Sequence, residues 1–113
     1  MIEVKALKID KLQEMSTKMS EPLVKGVVDI ALRKLVIDTW LHSDAELFLI
    51  EQGSEQENLW GINLWPEYYG TNDFIEYDSM INIRPAQNNR SRGVESEEIQ
   101  KVISEIVSEK IDE

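Results

Sequence analysis

Two carboxylates are the first residues whose type and spacing could do chemistry together. Glu76 and Asp78 stand at i and i+2 in Phe74-Ile75-Glu76-Tyr77-Asp78-Ser79-Met80-Ile81-Asn82-Ile83-Arg84, a stretch that alternates in hydropathy. On a strand this spacing puts both on one face, close enough to share a divalent cation through oxygen ligands. Mg²⁺ is the cation this reading implies, in a metal-dependent phosphoryl hydrolase or nuclease whose arginines stabilise phosphate charge. If the environment separated their pKa values, the pair could instead divide into an acid and a base. Asn63, Asn82 and Arg84 fall on the same face under the same alternation. The plainer alternative is a strand face open to water, common in antiparallel sheets.

A second constellation is basic. Arg84, Arg90 and Arg92 lie in a stretch without a single acid, inside a strongly acidic chain. Guanidinium groups match phosphate and carboxylate geometry. Asn82, Asn89 and Ser91 add donors, and Gly93 permits a tight backbone path. The leading expectation is therefore a binding or interaction module with a phosphate or carboxylate site in the 84–93 loop. Glu95, Glu97 and Glu98 follow at once and compete as internal partners for the arginines.

Three further features carry weaker chemistry. His42, the one histidine, precedes a helix beside Ser43 and Asp44; adjacency of that kind rarely gives triad geometry, so a capping or packing role is expected. Asp29 and Asp38 would face each other across a hairpin turning at Arg33-Lys34, where solvent, or else a metal or arginine partner, must offset the like charges. Trp65, Tyr68, Tyr69 and Phe74 surround one loop, and exposed aromatics favour interfaces. Self-association into a homo-oligomer through those four residues is the expectation they raise. Their alternative is local core at a hairpin end.

Composition narrows the classes. The 113 residues carry 22 acidic and 12 basic side chains, for a net charge of -10. That balance disfavours non-specific nucleic-acid binding. With no cysteine, disulfides, thiolate zinc sites and thiol catalysis are excluded. No apolar run approaches the ~18 residues of a membrane span. The charged start at Glu3, Lys5 and Lys8 does not read as a signal peptide, so a cytoplasmic protein is expected. No cofactor is expected, apart from Mg²⁺ under the hydrolase reading. No Gly-rich phosphate fingerprint occurs.

The elements that must hold these groups follow from periodicity. A short strand is expected at 2–7 and a helix at 10–20, ended by Glu21-Pro22. β-branched runs at 23–31 and 34–40 form one hairpin. A helix at 43–52 opens on the capping-box spacing Ser43-x-x-Glu46 and stops at Gly53. Alternating segments at 58–65 and 74–84 form a second hairpin, and 85–93 is a loop. The stripe Ile99, Val102, Ile103, Ile106, Val107 and Ile111 predicts a last helix at about 95–111. The expected fold is a single α+β domain over 1–113. Its mostly antiparallel sheet is built from two β-hairpins, with three helices packed mainly on one face.

Several stretches together are similar to a known family. They are Val27-Val28-Asp29, His42-x-Asp44-Ala45-Glu46, Glu51-Gln52-Gly53-Ser54, Trp60-Gly61-Ile62-Asn63-Leu64-Trp65-Pro66, Phe74 through Pro85, and Gln87-x-Asn89-Arg90-Ser91-Arg92-Gly93-Val94-Glu95. Over roughly residues 22–107 they resemble a family of short prokaryotic proteins catalogued only as a domain of unknown function. The resemblance implies that the chain stands alone as one complete domain. It supplies no activity, cofactor or residue role.

Overall fold

In the computed structural model, which describes residues 1–113, the chain opens with two short strands and a helix. These are β1 (Ile2–Glu3), β2 (Leu7–Lys8) and α1 (Ile9–Ser16). The β-branched runs then give β3 (Val24–Asp29) and β4 (Lys34–Thr39), followed by α2 (His42–Glu51). After β5 (Leu59–Leu64) and the short β6 (Ile75–Glu76) come α3 (Glu97–Lys110) and β7 (Ile111–Asp112). Ser96 starts α3, its hydroxyl accepting from the Ile99 N–H, while Glu97 and Glu98 complement the helix dipole.

The main sheet has the order β1-β4-β3-β5-β6, with every neighbouring pair antiparallel. β2 and β7 form a separate two-residue parallel pair. This is the α+β architecture expected, with two of the three helices on one face. On that face Val24, Val28, Leu35, Ile37, Trp60, Ile62 and Leu64 pack with Leu12 of α1 and with Ile103, Ile106 and Val107 of α3. On the opposite face Val27, Val36 and Leu59 pack with Ala45 and Leu49 of α2. Period-two alternation sorts the strand residues between these clusters. No helix is long and apolar enough to cross a membrane.

Two registers differ from the sequence reading. The first hairpin pairs Asp29 with Lys34, not with Asp38, across the loop 30–33 in which Arg33 has a φ of 53°. Asp29 is therefore buried rather than solvated. Its Oδ1 accepts from the Ala31 and Leu32 N–H groups, and Ser54 Oγ donates to its Oδ2 at 2.6 Å. Asp38 sits where the β3–β4 register shifts, with a φ of 62°, and pairs with Lys18 at 3.1 Å. A bulge residue aims its side chain off the strand alternation.

The second correction concerns 74–84. Only Ile75 and Glu76 pair with β5, and residues 80–82 and 85–87 turn as single 3₁₀ turns. The outer edge of β5 is thus left without a strand beyond Asn63, and side chains close it. Asn82 Oδ1 accepts from the Gly61 N–H at 2.8 Å, and Asn82 Nδ2 donates to the Gly61 carbonyl at 3.0 Å. The carboxamide reproduces both bonds a neighbouring strand would make. Arg84 Nη2 donates to the Leu59 carbonyl at 2.6 Å, the next outward acceptor on the edge.

This closure needs Gly61. A Cβ there would lie 2.5 Å from Ser79 Cβ, so the 79–82 segment could not approach. Gly61→Ala should lower stability by about 1–3 kcal/mol through overpacking. Asn82→Leu should cost about 2–4 kcal/mol by stranding both Gly61 groups. Urea unfolding checks both, and a midpoint unchanged in Asn82→Leu would refute the edge-closing role.

Candidate functional site

The antiparallel register sets a row of polar residues across one face of the sheet. Lys25 of β3 stands opposite Asn63 of β5, and Asn63 opposite Glu76 of β6. Two strand spacings, roughly 10 Å, separate the backbones of Lys25 and Glu76. The start of α2 and the segment after β6 wall this row into a cleft of about 480 Å³. Glu21, His42, Trp65, Asp78 and Arg92 also line it.

Each group in the cleft is held by its surroundings. Glu76 Oε1 accepts from Asn63 Nδ2 at 2.8 Å and from Trp65 Nε1 at 3.3 Å. Its second oxygen has no protein donor and remains an acceptor of fixed orientation. Asp78 pairs with Arg92 at 2.5 Å, both side chains about half exposed. Asn63 is buried, and its Oδ1 has no hydrogen-bond partner. Lys25 is half-buried and makes no ion pair.

His42 Nε2 lies 2.8 Å from the Ile62 carbonyl. A carbonyl only accepts, so Nε2 carries the proton and Nδ1 keeps its lone pair in the neutral ring. Burial pushes the His42 pKa below its ordinary value. The Ile62 carbonyl opposes that shift, Lys25 adds to it, and Asn63 and Asp78 also oppose it. The ring therefore stands neutral at neutral pH as an acceptor. α2 begins at His42, not at Ser43, and no side chain caps its first turn. That uncapped end brings partial positive charge to the cleft wall, offset in part by Asp44 in the same turn.

The residues named from sequence divide between two places. Glu76, Asp78 and Arg92 meet in the cleft. Asn82 and Asn89 are buried inside the 82–95 loop and stitch it together. Asn89 Nδ2 donates to the Asn82 and Gly93 carbonyls at 2.7 and 2.8 Å, and its Oδ1 accepts from the Glu95 N–H at 2.9 Å. Arg84 donates to the Gln56 and Leu59 carbonyls and stacks 4.1 Å from the Trp60 ring centroid. Ser91 Oγ accepts from the Gly93 N–H. Arg90 is exposed, without an ion pair. The six loop residues thus do not converge on one point.

The loop does hold one anion, and it is internal. Glu95 Oε2 accepts from the consecutive N–H groups of Arg90 and Ser91, at 2.7 and 2.9 Å. Of the four aromatics, Phe74 belongs to the core, and Tyr69 packs edge-on against it at 5.1 Å. A surface made of all four is not assembled, because Phe74 points inward. Trp65 and Tyr68 tilt against each other at 6.3 Å, and Tyr68 is the exposed ring.

Sequence reasoning missed Lys25 and gave His42 only a capping or packing role. The available signal was a lysine inside the apolar run Leu23-Val24-Lys25-Gly26-Val27-Val28. A central strand buried on both faces has little reason to carry a cation.

One pH dependence follows. The Ser91 and Arg90 N–H groups hold the Glu95 carboxyl below its ordinary value of 4.5. A depressed carboxylate contributes stability above its unfolded pKa and loses it as pH falls through the folded value. The stability gap between the native chain and Glu95→Gln should be full at neutral pH and shrink below pH 4.5. Urea midpoints across that range test this; a gap independent of pH would mean the charge contributes nothing.

No curated protein and no solved structure matches this chain. A family model described as "Protein of unknown function (DUF5674)" matches residues 1–110, and the chain belongs to that family.

Proposed function

We propose that this chain is a binding module whose site is the cleft below the start of α2. Its ligand is a small molecule that carries an anionic group, phosphate or carboxylate, and a hydrogen-bond donor. The anion sits by Lys25 and the open first turn of α2, with Arg92 contributed by the 84–93 loop. The donor meets the free oxygen of Glu76.

The observation that carries this reading is Lys25. Lys25 is a half-buried residue of a central strand whose ammonium has no carboxylate partner, so folding alone gives little reason for a cation there. It stands in one cross-strand row with Glu76, a carboxylate locked by two donors. Such a row complements a dipolar ligand in advance, which lowers the ordering cost of binding.

A second reading has an observation of its own. Glu76, Asp78 and an arginine share one concave site. In a hydrolase or nuclease, Glu76 and Asp78 would hold Mg²⁺, and Arg92 with Lys25 would bind the phosphate. No three histidine or carboxylate side chains gather for a metal. Water would therefore complete the coordination sphere, as Mg²⁺ commonly allows.

A thermal-shift titration with orthophosphate, the standard amino acids and MgCl₂ separates these readings. A ligand at a hundred times its Kd adds about 2.7 kcal/mol of stability, several degrees at this size. Binding should be lost in Lys25→Ala and weakened in Glu76→Gln, while Arg90→Ala, outside the cleft, should leave it intact. Loss in Arg90→Ala with none in Lys25→Ala would move the site to the loop. A phosphate shift that needs Mg²⁺ and Glu76 would establish the hydrolase reading instead.

A further inference from the structure

The outer face of α2 presents a second concavity, away from the cleft and independent of its ligand. A groove of about 570 Å³ lies between α2 and the end of β4, walled by Met19, Trp40, Leu47 and Phe48, with Met1 at one end. Trp40 is 65% exposed and Leu47 57%. Single exposed apolar residues are ordinary, but a contiguous patch rimmed by polar residues marks an interaction surface.

The charges around the groove select its occupant. Asp44, Leu47, Phe48 and Glu51 fall at i, i+3, i+4 and i+7 of one helix. They form a stripe with an apolar centre and a carboxylate at each end, about 10 Å apart along the axis. Neither Asp44 nor Glu51 has an ion-pair partner, whereas the groove's one lysine, Lys18, is held by Asp38 at 3.1 Å. A second copy of the chain is a poor occupant. Each copy carries a net charge of -10, and a two-fold contact would press the same acids together.

We propose that this groove docks a basic amphipathic helix of a partner protein. The helix would bring large apolar side chains to Trp40 and Leu47. Lysines or arginines two turns apart would meet Asp44 and Glu51. Helix-in-groove recognition combines such anchors with a charged rim that sets orientation and association rate.

The test uses the full chain and two synthetic helical peptides with the same leucine face. One carries lysines seven positions apart and the other glutamates. Trp40 is an exposed indole and Trp60 a buried one, so seating a peptide on the groove should shift the emission to the blue. The lysine peptide should bind saturably and weaken as salt rises, while the glutamate peptide should not bind. Affinity should fall roughly tenfold or more in Leu47→Asp and in the double reversal Asp44→Lys/Glu51→Lys. The matched reversal Glu98→Lys/Glu105→Lys has the same spacing on exposed positions of α3 and should leave affinity within about twofold once net charge is screened. All five positions are exposed, so the variants should keep the native circular dichroism. Equal losses in both reversals would mean diffuse attraction and overturn the proposal. So would equal binding of the glutamate peptide, or a dimer in sedimentation that Leu47→Asp splits.

Discussion

The open edge of β5 is the constraint on which the second half of the molecule depends. A strand edge facing protein cannot leave its N–H and C=O groups unpaired. β6 covers only Asn63 and Leu64. The chain meets the rest of the demand with one carboxamide at Gly61 and one guanidinium at Leu59. Several sequence features then have a single cause. Gly61 lacks a side chain so that Ser79 can approach. Asn89 holds the carbonyl of Asn82 and so fixes the residue that does the closing. Arg84 is desolvated and stacked on Trp60, and burial lowers its pKa while nearby Glu46 opposes the change. What reads in sequence as a basic, amide-rich ligand loop is largely the inside of a β-edge seal.

The same seal positions the cleft. The Arg92 carbonyl accepts from Ser79 N–H and from Asn82 Nδ2, so the backbone at 92 is fixed against the 79–82 turn. The Arg92 guanidinium then reaches Asp78 at the cleft wall. Exposed ion pairs of this kind contribute about 0–1 kcal/mol. Their use here is to fix orientation rather than stability. The tight turn at Arg90 and Ser91, closed by Glu95, keeps the loop from relaxing away. A rigid loop holding one arginine against one aspartate suits recognition better than a mobile loop with three free arginines would, because less ordering entropy is lost on binding.

How much of this was legible depends on where pairing is local. α3 was readable because Ile99, Ile103, Ile106 and Val107 fix one face, though it starts at Glu97 after a Ser96 cap rather than at 95. The runs of β3, β4 and β5 were readable because β-branched residues and alternation survive in both faces of the core. The register of the first hairpin was not. It turns on a left-handed Arg33 and a bulge at Asp38; arginine rarely takes a positive φ, and aspartate, though enriched there, does so too seldom to mark the bulge by type alone. Residues 77–84 keep a period of two without being a strand. Ser79 Oγ accepts the Ile81 N–H and tips the chain into a 3₁₀ turn that no apolar pattern records. For the site, alternation placed Asn63 and Glu76 on one face. Lys25 and His42 come to that face from elements whose pairing is non-local, so spacing alone could not collect them.

α2 shows where folding stops accounting for the sequence. Its inward positions, Ala45 and Leu49, are fully buried against Val27, Val36 and Leu59, and they suffice to seat the helix. Its outward position Leu47 is more than half exposed, as is neighbouring Trp40. A helix that covers a sheet needs one apolar stripe, with polar residues opposite. Here the second stripe is apolar too, and two unpaired acids bracket it. Core packing explains the first stripe completely and, in the second, only Phe48, which leans on the same cluster while Leu47 stays outside it. Nothing about the stability of the chain would change appreciably if Leu47 were a glutamine, because its burial contributes little to folding. Leu47 and Trp40, which folding leaves free to be polar and which are nonetheless large and apolar, are the residues for which the proposed partner helix would supply the missing contact.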